Sequence, residues 1–165
     1  MLRLVVLAGL VAGCRVSLES VDAGGDSTGR ACVVSTTSAP CMAATMQNPV
    51  TLTWIQQNIF TVSCNFSGCH SSASDAGKLD LKTSAHDHLV GISSMIDRTR
   101  MLVVPNDVHA SYLMLMVRDV PPAMATPPAA APPGSVGYMP QGSTTLCCQK
   151  LDALERWINS GAPNN

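Results

Sequence analysis

Residues 51–70 of the chain read TLTWIQQNIFTVSCNFSGCH and decide how it is expected to fold. Within this stretch, Leu52, Ile55 and Ile59 recur at the spacing of one face of an α-helix. The pattern predicts a helix over residues 51–60 that carries the chain to two cysteines and a histidine.

Those three residues are Cys64, Cys69 and His70, and four residues separate the two cysteines. The pattern C-x-x-C-H is typical of c-type haem attachment, and this stretch is a widened form of it. Two thiols must reach the two vinyl groups of the porphyrin, and the adjacent histidine must turn its imidazole toward the iron. Gly68 supplies the conformational freedom that the longer loop needs.

Two other interpretations of the motif stay open. A disulfide between Cys64 and Cys69 would leave His70 as an ordinary surface residue. A zinc site is weaker, because the other histidines do not show paired ligand spacing. These histidines are His86, His88 and His109.

From Trp54 to Ala162 the chain resembles the small c-type cytochrome domains of myxobacterial and planctomycete exported proteins and lipoproteins. The resemblance includes the C-x4-C-H motif and five short blocks in the same order. The blocks are Ile59-Phe60 before the motif with 77–81 (GKLDL) after it, 88–91 (HLVG), 100–107 (RMLVVPND), 111–113 (SYL), and 138–140 (YMP) with Leu146 and 157–162 (WINSGA).

The resemblance implies one haem c, held covalently by Cys64 and Cys69. It also implies His70 and Met139 as iron ligands, and a thioether opposite an imidazole suits electron transfer. Arg100 is a candidate partner of a haem propionate, with a solvated surface charge as the alternative. Rival iron ligands are Met95, Met101, Met124, His86, His88 and His109.

The first residues form a leader with an apolar core after Arg3. Leu10-Val11-Ala12-Gly13-Cys14 resembles the bacterial lipobox, which implies cleavage before Cys14 and a lipid anchor on that residue. The alternative is an ordinary secretory signal. Arg15 is not the aspartate of the inner-membrane retention pattern, so we expect a cell-envelope protein on the periplasmic side, anchored in the outer membrane.

Composition narrows the class of protein further. Charged residues make up 13% of the chain and the net charge is -1, which gives no basic surplus for binding nucleic acid. Seven cysteines leave six after Cys14, and this number favours an oxidising compartment. We expect a local disulfide between Cys32 and Cys41; the alternative ties this segment to Cys147 and Cys148.

The expected fold is mainly α, a small cytochrome c-like helical domain around one haem, with a disordered N-terminal tether. We predict a signal peptide at 1–13, an anchor and flexible linker with a possible disulfide at 14–48, and a cytochrome c-like domain at 49–165. Prolines make 121–133 an extended loop.

Two further helices are expected. Asp107 is a candidate N-cap for a helix from Val108 to Arg118. A final helix follows residue 145, with Cys147 and Cys148 at its start and Gly161 as its cap. Its apolar side is formed by Leu151, Leu154, Trp157 and Ile158.

The predicted function is electron transfer by a lipid-anchored monohaem cytochrome that meets a redox partner protein. No catalytic arrangement stands out, so we do not expect an enzyme. The alternative is a haem-free, disulfide-stabilised surface lipoprotein with a structural or binding role. A haem enzyme such as a small peroxidase, with an open sixth position, is a third hypothesis.

Overall fold

The computed structural model describes residues 30–72, 76–142 and 144–165. Within these ranges the fold is mainly helical, and β-type pairing is limited to three isolated bridges. The expectation of a small, mainly helical domain is confirmed at this level. None of the helices in these ranges has the length and apolar character needed to cross a membrane.

The described helices are short except for the last one. They are α1 (Ala39–Thr45), α2 (Leu52–Ile55), α3 (Thr61–Ser63), α4 (Ala85–Leu89), α5 (Tyr112–Met116) and α6 (Cys148–Asn159). A π-helical turn, Gln56–Phe60, joins α2 to α3, and 3-10 turns lie at Ala76–Lys78 and Pro122–Met124.

The helix predicted over residues 51–60 is confirmed and continues to Ser63. It begins at Thr51, whose hydroxyl accepts a hydrogen bond from the Trp54 N–H at 3.1 Å. The side chains of Ile55 and Ile59 are fully buried, as their spacing predicts. This helix therefore places Cys64 directly at the edge of the core.

Helix α5 is shorter than the predicted helix from Val108 to Arg118. Asp107 does cap a turn, since its Oδ1 accepts a hydrogen bond from the Ala110 N–H at 2.9 Å. Ser111 then adopts an extended conformation, so the helix begins only at Tyr112. Side-chain capping here closes a separate turn before the helix.

Helix α6 agrees with its prediction. Leu151, Leu154 and Trp157 share a face and are fully buried, and this face packs against α1 and α2. Gly161 follows the helix with φ at +95°, a conformation that strongly favours glycine. At the end of the chain, the Asn165 carbonyl accepts a hydrogen bond from the Thr53 N–H at 2.9 Å, which ties α2 to the C-terminus.

The first described segment is fastened to α6 by two disulfides, Cys32–Cys148 and Cys41–Cys147. The expected local disulfide between Cys32 and Cys41 is therefore wrong. The Gln149 side chain explains the pairing, because its amide accepts from the Ser35 N–H at 3.2 Å and donates to the Ser35 carbonyl at 2.6 Å. These bonds hold the segment beside the start of α6, within reach of both of its cysteines.

Candidate functional site

The two remaining described cysteines are thiols at the end of α3. Cys64 is partly buried against the core, whereas Cys69 is exposed. The loop between them turns back at Gly68, where φ is +80°. Burial raises the pKa of the Cys64 thiol to about 12, the charge of Lys150 opposes that rise, and Cys69 adds to it.

His70 follows the exposed thiol, and its Nδ1 lies 3.0 Å from the carbonyl oxygen of Ala76. Two of the rival histidines also contact backbone carbonyls: His86 Nε2 lies 3.1 Å from the Ala162 oxygen, and His109 Nδ1 lies 3.0 Å from the Met124 oxygen. These contacts orient the imidazole rings on the surface of the helical frame.

Met139 lies in the loop before α6 and packs, half-buried, against the core. Its N–H donates a hydrogen bond to the Met116 carbonyl at 2.8 Å, which attaches this loop to the end of α5. The rival methionines are exposed; they are Met95, Met101 and Met124.

Arg100 is buried, and its guanidinium contacts the proline-rich loop. It donates to the carbonyls of Pro127 and Pro128, the second at 3.0 Å, and its Nε lies 3.2 Å from Asp97. The side chain therefore positions that loop, which is irregular apart from the turn at Pro122–Met124. Cys14, the predicted lipidation site, lies outside the described residues.

A second candidate site lies just after the C-terminal end of α5. Arg118 adopts the left-handed conformation, with φ at +64°, at a position after the helix where glycine is usual. Its guanidinium carbon is 4.9 Å from the centroid of the Tyr138 ring, a cation–π distance. Both side chains line a groove of about 330 Å³ together with Ala31, Val120, Pro121 and Pro122.

A charge cluster, buried at Asp119 and partly exposed at Asp152 and Glu155, lies beside this groove. Arg30 faces three carboxylates: its Nε is 2.8 Å from Asp119 Oδ1, its Nη1 is 2.6 Å from Asp152, and its Nη2 contacts Glu155. The Asp119 side chain is fully buried, and neither of its oxygens accepts a well-directed hydrogen bond within the described residues. Burial, followed by the neighbouring Glu155 carboxylate, raises the pKa of Asp119 to about 8, against the opposing charge of Arg30.

Sequence reasoning missed the groove and the charge cluster. Nothing in the sequence distinguishes Arg118 from another surface cation, because its left-handed backbone depends on where α5 ends. Arg30 lies at the end of a stretch that reads as polar linker, so its partners were not predictable.

No protein-family model, curated protein or solved structure matches this chain. The resemblance to c-type cytochrome domains therefore stays a prediction.

The structure contradicts the predicted electron-carrier function. Two disulfides use four of the six cysteines that follow Cys14. Among residues 30–72, 76–142 and 144–165, no group of three or more His, Cys, Asp or Glu side chains could hold a metal ion. These findings favour the alternative, a haem-free protein stabilised by disulfides.

Proposed function

We propose that this chain is an exported, lipid-anchored envelope protein, stabilised by two disulfides, with a binding role at its surface. The observation that carries the proposal is the pair of disulfides, which join residues 116 and 106 positions apart. Bridges of this kind persist in oxidising compartments and are rare in the cytosol.

The lipid anchor is proposed at Cys14, from the lipobox resemblance. An anchored protein is pulled at the point where its tether enters the folded domain. Arg30 and Cys32 lie at the N-terminal end of the described residues, and both are fastened to α6, through Asp152 and Glu155 and through Cys148. This double attachment suits a domain that is held to a membrane by its N-terminus.

We also propose that the helices are arranged as in cytochrome c domains. This proposal concerns the arrangement of the helices and not the binding of haem. Contact between the first long helical stretch and the last helix supports it, since these two elements pack together in that fold. A frame of this kind can be retained while the function changes.

The binding role is assigned to the groove at Arg118 and Tyr138. Arg118 supplies a positive charge, and within the described residues its guanidinium contacts the Tyr138 ring. Apolar walls are supplied by Val120, Pro121 and Pro122. A small ligand with a carboxylate and an apolar or planar body matches these walls and this charge.

The first experiment tests export, anchoring and disulfides together. The full-length chain is expressed in a Gram-negative host with the cytochrome c maturation system, then fractionated and mapped under non-reducing conditions. We expect a colourless membrane-fraction protein with the Cys32–Cys148 and Cys41–Cys147 bridges, cut before Cys14 and carrying lipid there by intact mass. Cys14→Ala should lose both the cleavage and the lipid, and the matched control, Thr36→Ala, should keep both. Covalent haem absorbance in the denatured chain would overturn the proposal.

The second experiment tests the groove. Benzoate is titrated into the isotopically labelled protein, and we expect shifts of the Tyr138 signals that Arg118→Gln weakens. Arg98→Gln removes an exposed cation elsewhere and serves as the control. Equal binding by both variants would contradict the assignment of the groove.

A further inference from the structure

One wall of the groove comes from the N-terminal segment. Ala31 lines the groove, and its N–H donates a hydrogen bond to the carbonyl oxygen of Arg118 at 3.2 Å. The other lining residues belong to the part of the chain between Arg118 and Tyr138. The groove is therefore a junction of two segments that are far apart in the sequence, and it is complete only where they meet.

Side chains next to this junction join the same two segments. Arg30 directly precedes Ala31 in the chain. On the other side, Asp119 directly follows Arg118, and its Oδ1 lies 2.8 Å from the Nε of Arg30. The Asp119 side chain is fully buried and that of Arg30 is 12% exposed, so water competes little for this contact.

The Arg30 side chain also reaches the last helix. Its Nη1 lies 2.6 Å from Oδ1 of Asp152, and its Nη2 contacts Glu155. A guanidinium presents its donors in a fixed planar fork, so contacts on two sides hold it in one orientation. We refer to the contacts of Arg30 with Asp119, Asp152 and Glu155 as the Arg30 latch.

The disulfide on the other side of Ala31 keeps an opening of the latch local. Cys32 is bonded to Cys148 at the start of α6, so the chain stays attached one residue beyond the groove wall. Loss of the latch contacts therefore frees residues 30 and 31 and leaves the bonds between Gln149 and Ser35 in place.

We propose that the Arg30 latch controls the affinity of the groove for its ligand. With the latch closed, Ala31 stands against Arg118 and the groove binds a small carboxylate. With the latch open, that wall is lost and the affinity falls. This inference rests on the binding role proposed above for the groove and adds its regulation by the N-terminal segment.

Thermodynamic linkage makes this coupling reciprocal. A ligand that binds the closed state more tightly must shift the N-terminal segment toward that state. Occupancy of the groove should therefore tighten the attachment of the first described residues to the rest of the domain.

The latch is tested first without ligand, by hydrogen exchange of backbone amides in the isotopically labelled full-length chain. The Ala31 N–H is protected by its bond to Arg118, so Arg30→Gln should speed its exchange at least about fivefold. The Thr53 N–H, bonded to the Asn165 carbonyl at 2.9 Å, should exchange at an unchanged rate and reports that the fold is intact. Unchanged exchange of Ala31 in this variant would overturn the latch.

The coupling is tested with benzoate, followed through the Tyr138 signals. Arg30→Gln should bind benzoate at least about fivefold more weakly than the unaltered chain. Saturating benzoate should in turn slow the exchange of Ala31 in the unaltered chain. Arg98→Gln removes an exposed cation elsewhere and should bind benzoate as the unaltered chain does.

A second variant separates the latch from simple electrostatics. Asp152→Asn combined with Glu155→Gln removes two negative charges near the groove, which by itself favours a carboxylate ligand. The same change also removes the contacts that hold Arg30 to α6, so we predict weaker binding of benzoate. Tighter binding by this double variant would mean that charge and not the latch sets the affinity.

Failure of the latch differs from failure of the groove. If benzoate shifts the Tyr138 signals of the unaltered chain and binds Arg30→Gln equally well, the groove stands and the latch is overturned. If benzoate leaves the Tyr138 signals of the unaltered chain unchanged, the groove assignment itself is wrong, and its regulation falls with it.

Discussion

The two long-range disulfides should contribute to the free energy of unfolding in a non-additive way. Removing both should lower that free energy by more than the sum of the two single removals. The bridges are nested, since Cys41–Cys147 spans 106 residues inside the 116 spanned by Cys32–Cys148. In the loop-closure model, either bridge alone restricts the unfolded chain by about 4.8 kcal/mol. Once one is closed, the second closes a ring of roughly ten residues and adds only about 3 kcal/mol.

Each single removal should therefore cost about 3 kcal/mol, and removal of both should cost about 7–8 kcal/mol. The excess over additivity, about 2 kcal/mol, follows from the nesting alone. Cys41→Ala with Cys147→Ala is the cleaner pair, because Cys32 and Cys148 both belong to the hydrophobic core cluster, where the loss of their sulfur atoms adds about 1 kcal/mol of lost packing to the cost.

The assay is urea unfolding followed by circular dichroism, with m-values compared across the variants. Thr36→Ala, an exposed substitution in the same segment, should change the midpoint little. If the chain without both bridges is unfolded in water, the two single-bridge variants still test the nested-loop model. A cost near 5 kcal/mol for Cys41→Ala with Cys147→Ala would refute the nested-loop reasoning.

Two further predictions concern the charge cluster and the groove. Because the pKa of Asp119 is raised, its protonated form stabilises the fold, so the free energy of unfolding should fall by roughly 2–4 kcal/mol as pH rises from 4 to 9. Asp119→Asn should remove most of that slope in urea unfolding, and an unchanged slope would contradict the raised pKa. At position 118, Arg118→Gly should be more stable than Arg118→Ala by about 1 kcal/mol in thermal unfolding, because φ there is +64°. Equal midpoints for glycine and alanine would argue against a left-handed residue.

The helical frame was predictable where apolar periodicity is strong. Leu151, Leu154 and Trp157 repeat at helical spacing, and all three are fully buried in the core. The start of α5 was not predictable, because Asp107 is an equally good cap for a helix or for an isolated turn. Local hydrogen bonding decided between them, and it depends on where Ser111 and Val104 meet in three dimensions.

The disulfide pairing lay beyond sequence reasoning for a different reason. Six cysteines permit fifteen pairings, and short separation along the chain made Cys32–Cys41 the simplest choice. The actual partners are fixed by the Gln149 amide, which binds the backbone of Ser35 from 114 residues away. A contact of that separation has no periodic signal in the sequence.

The first two turns of α6 hold the N-terminal segment to the rest of the domain. Cys148 and Gln149 fix that segment, and Glu155 contacts Arg30. Because these residues share one helix, the covalent and the ionic contacts fasten the same segment to the same two turns. Loss of the Cys32–Cys148 bridge should therefore loosen the ion pairs of Arg30 as well as lower stability.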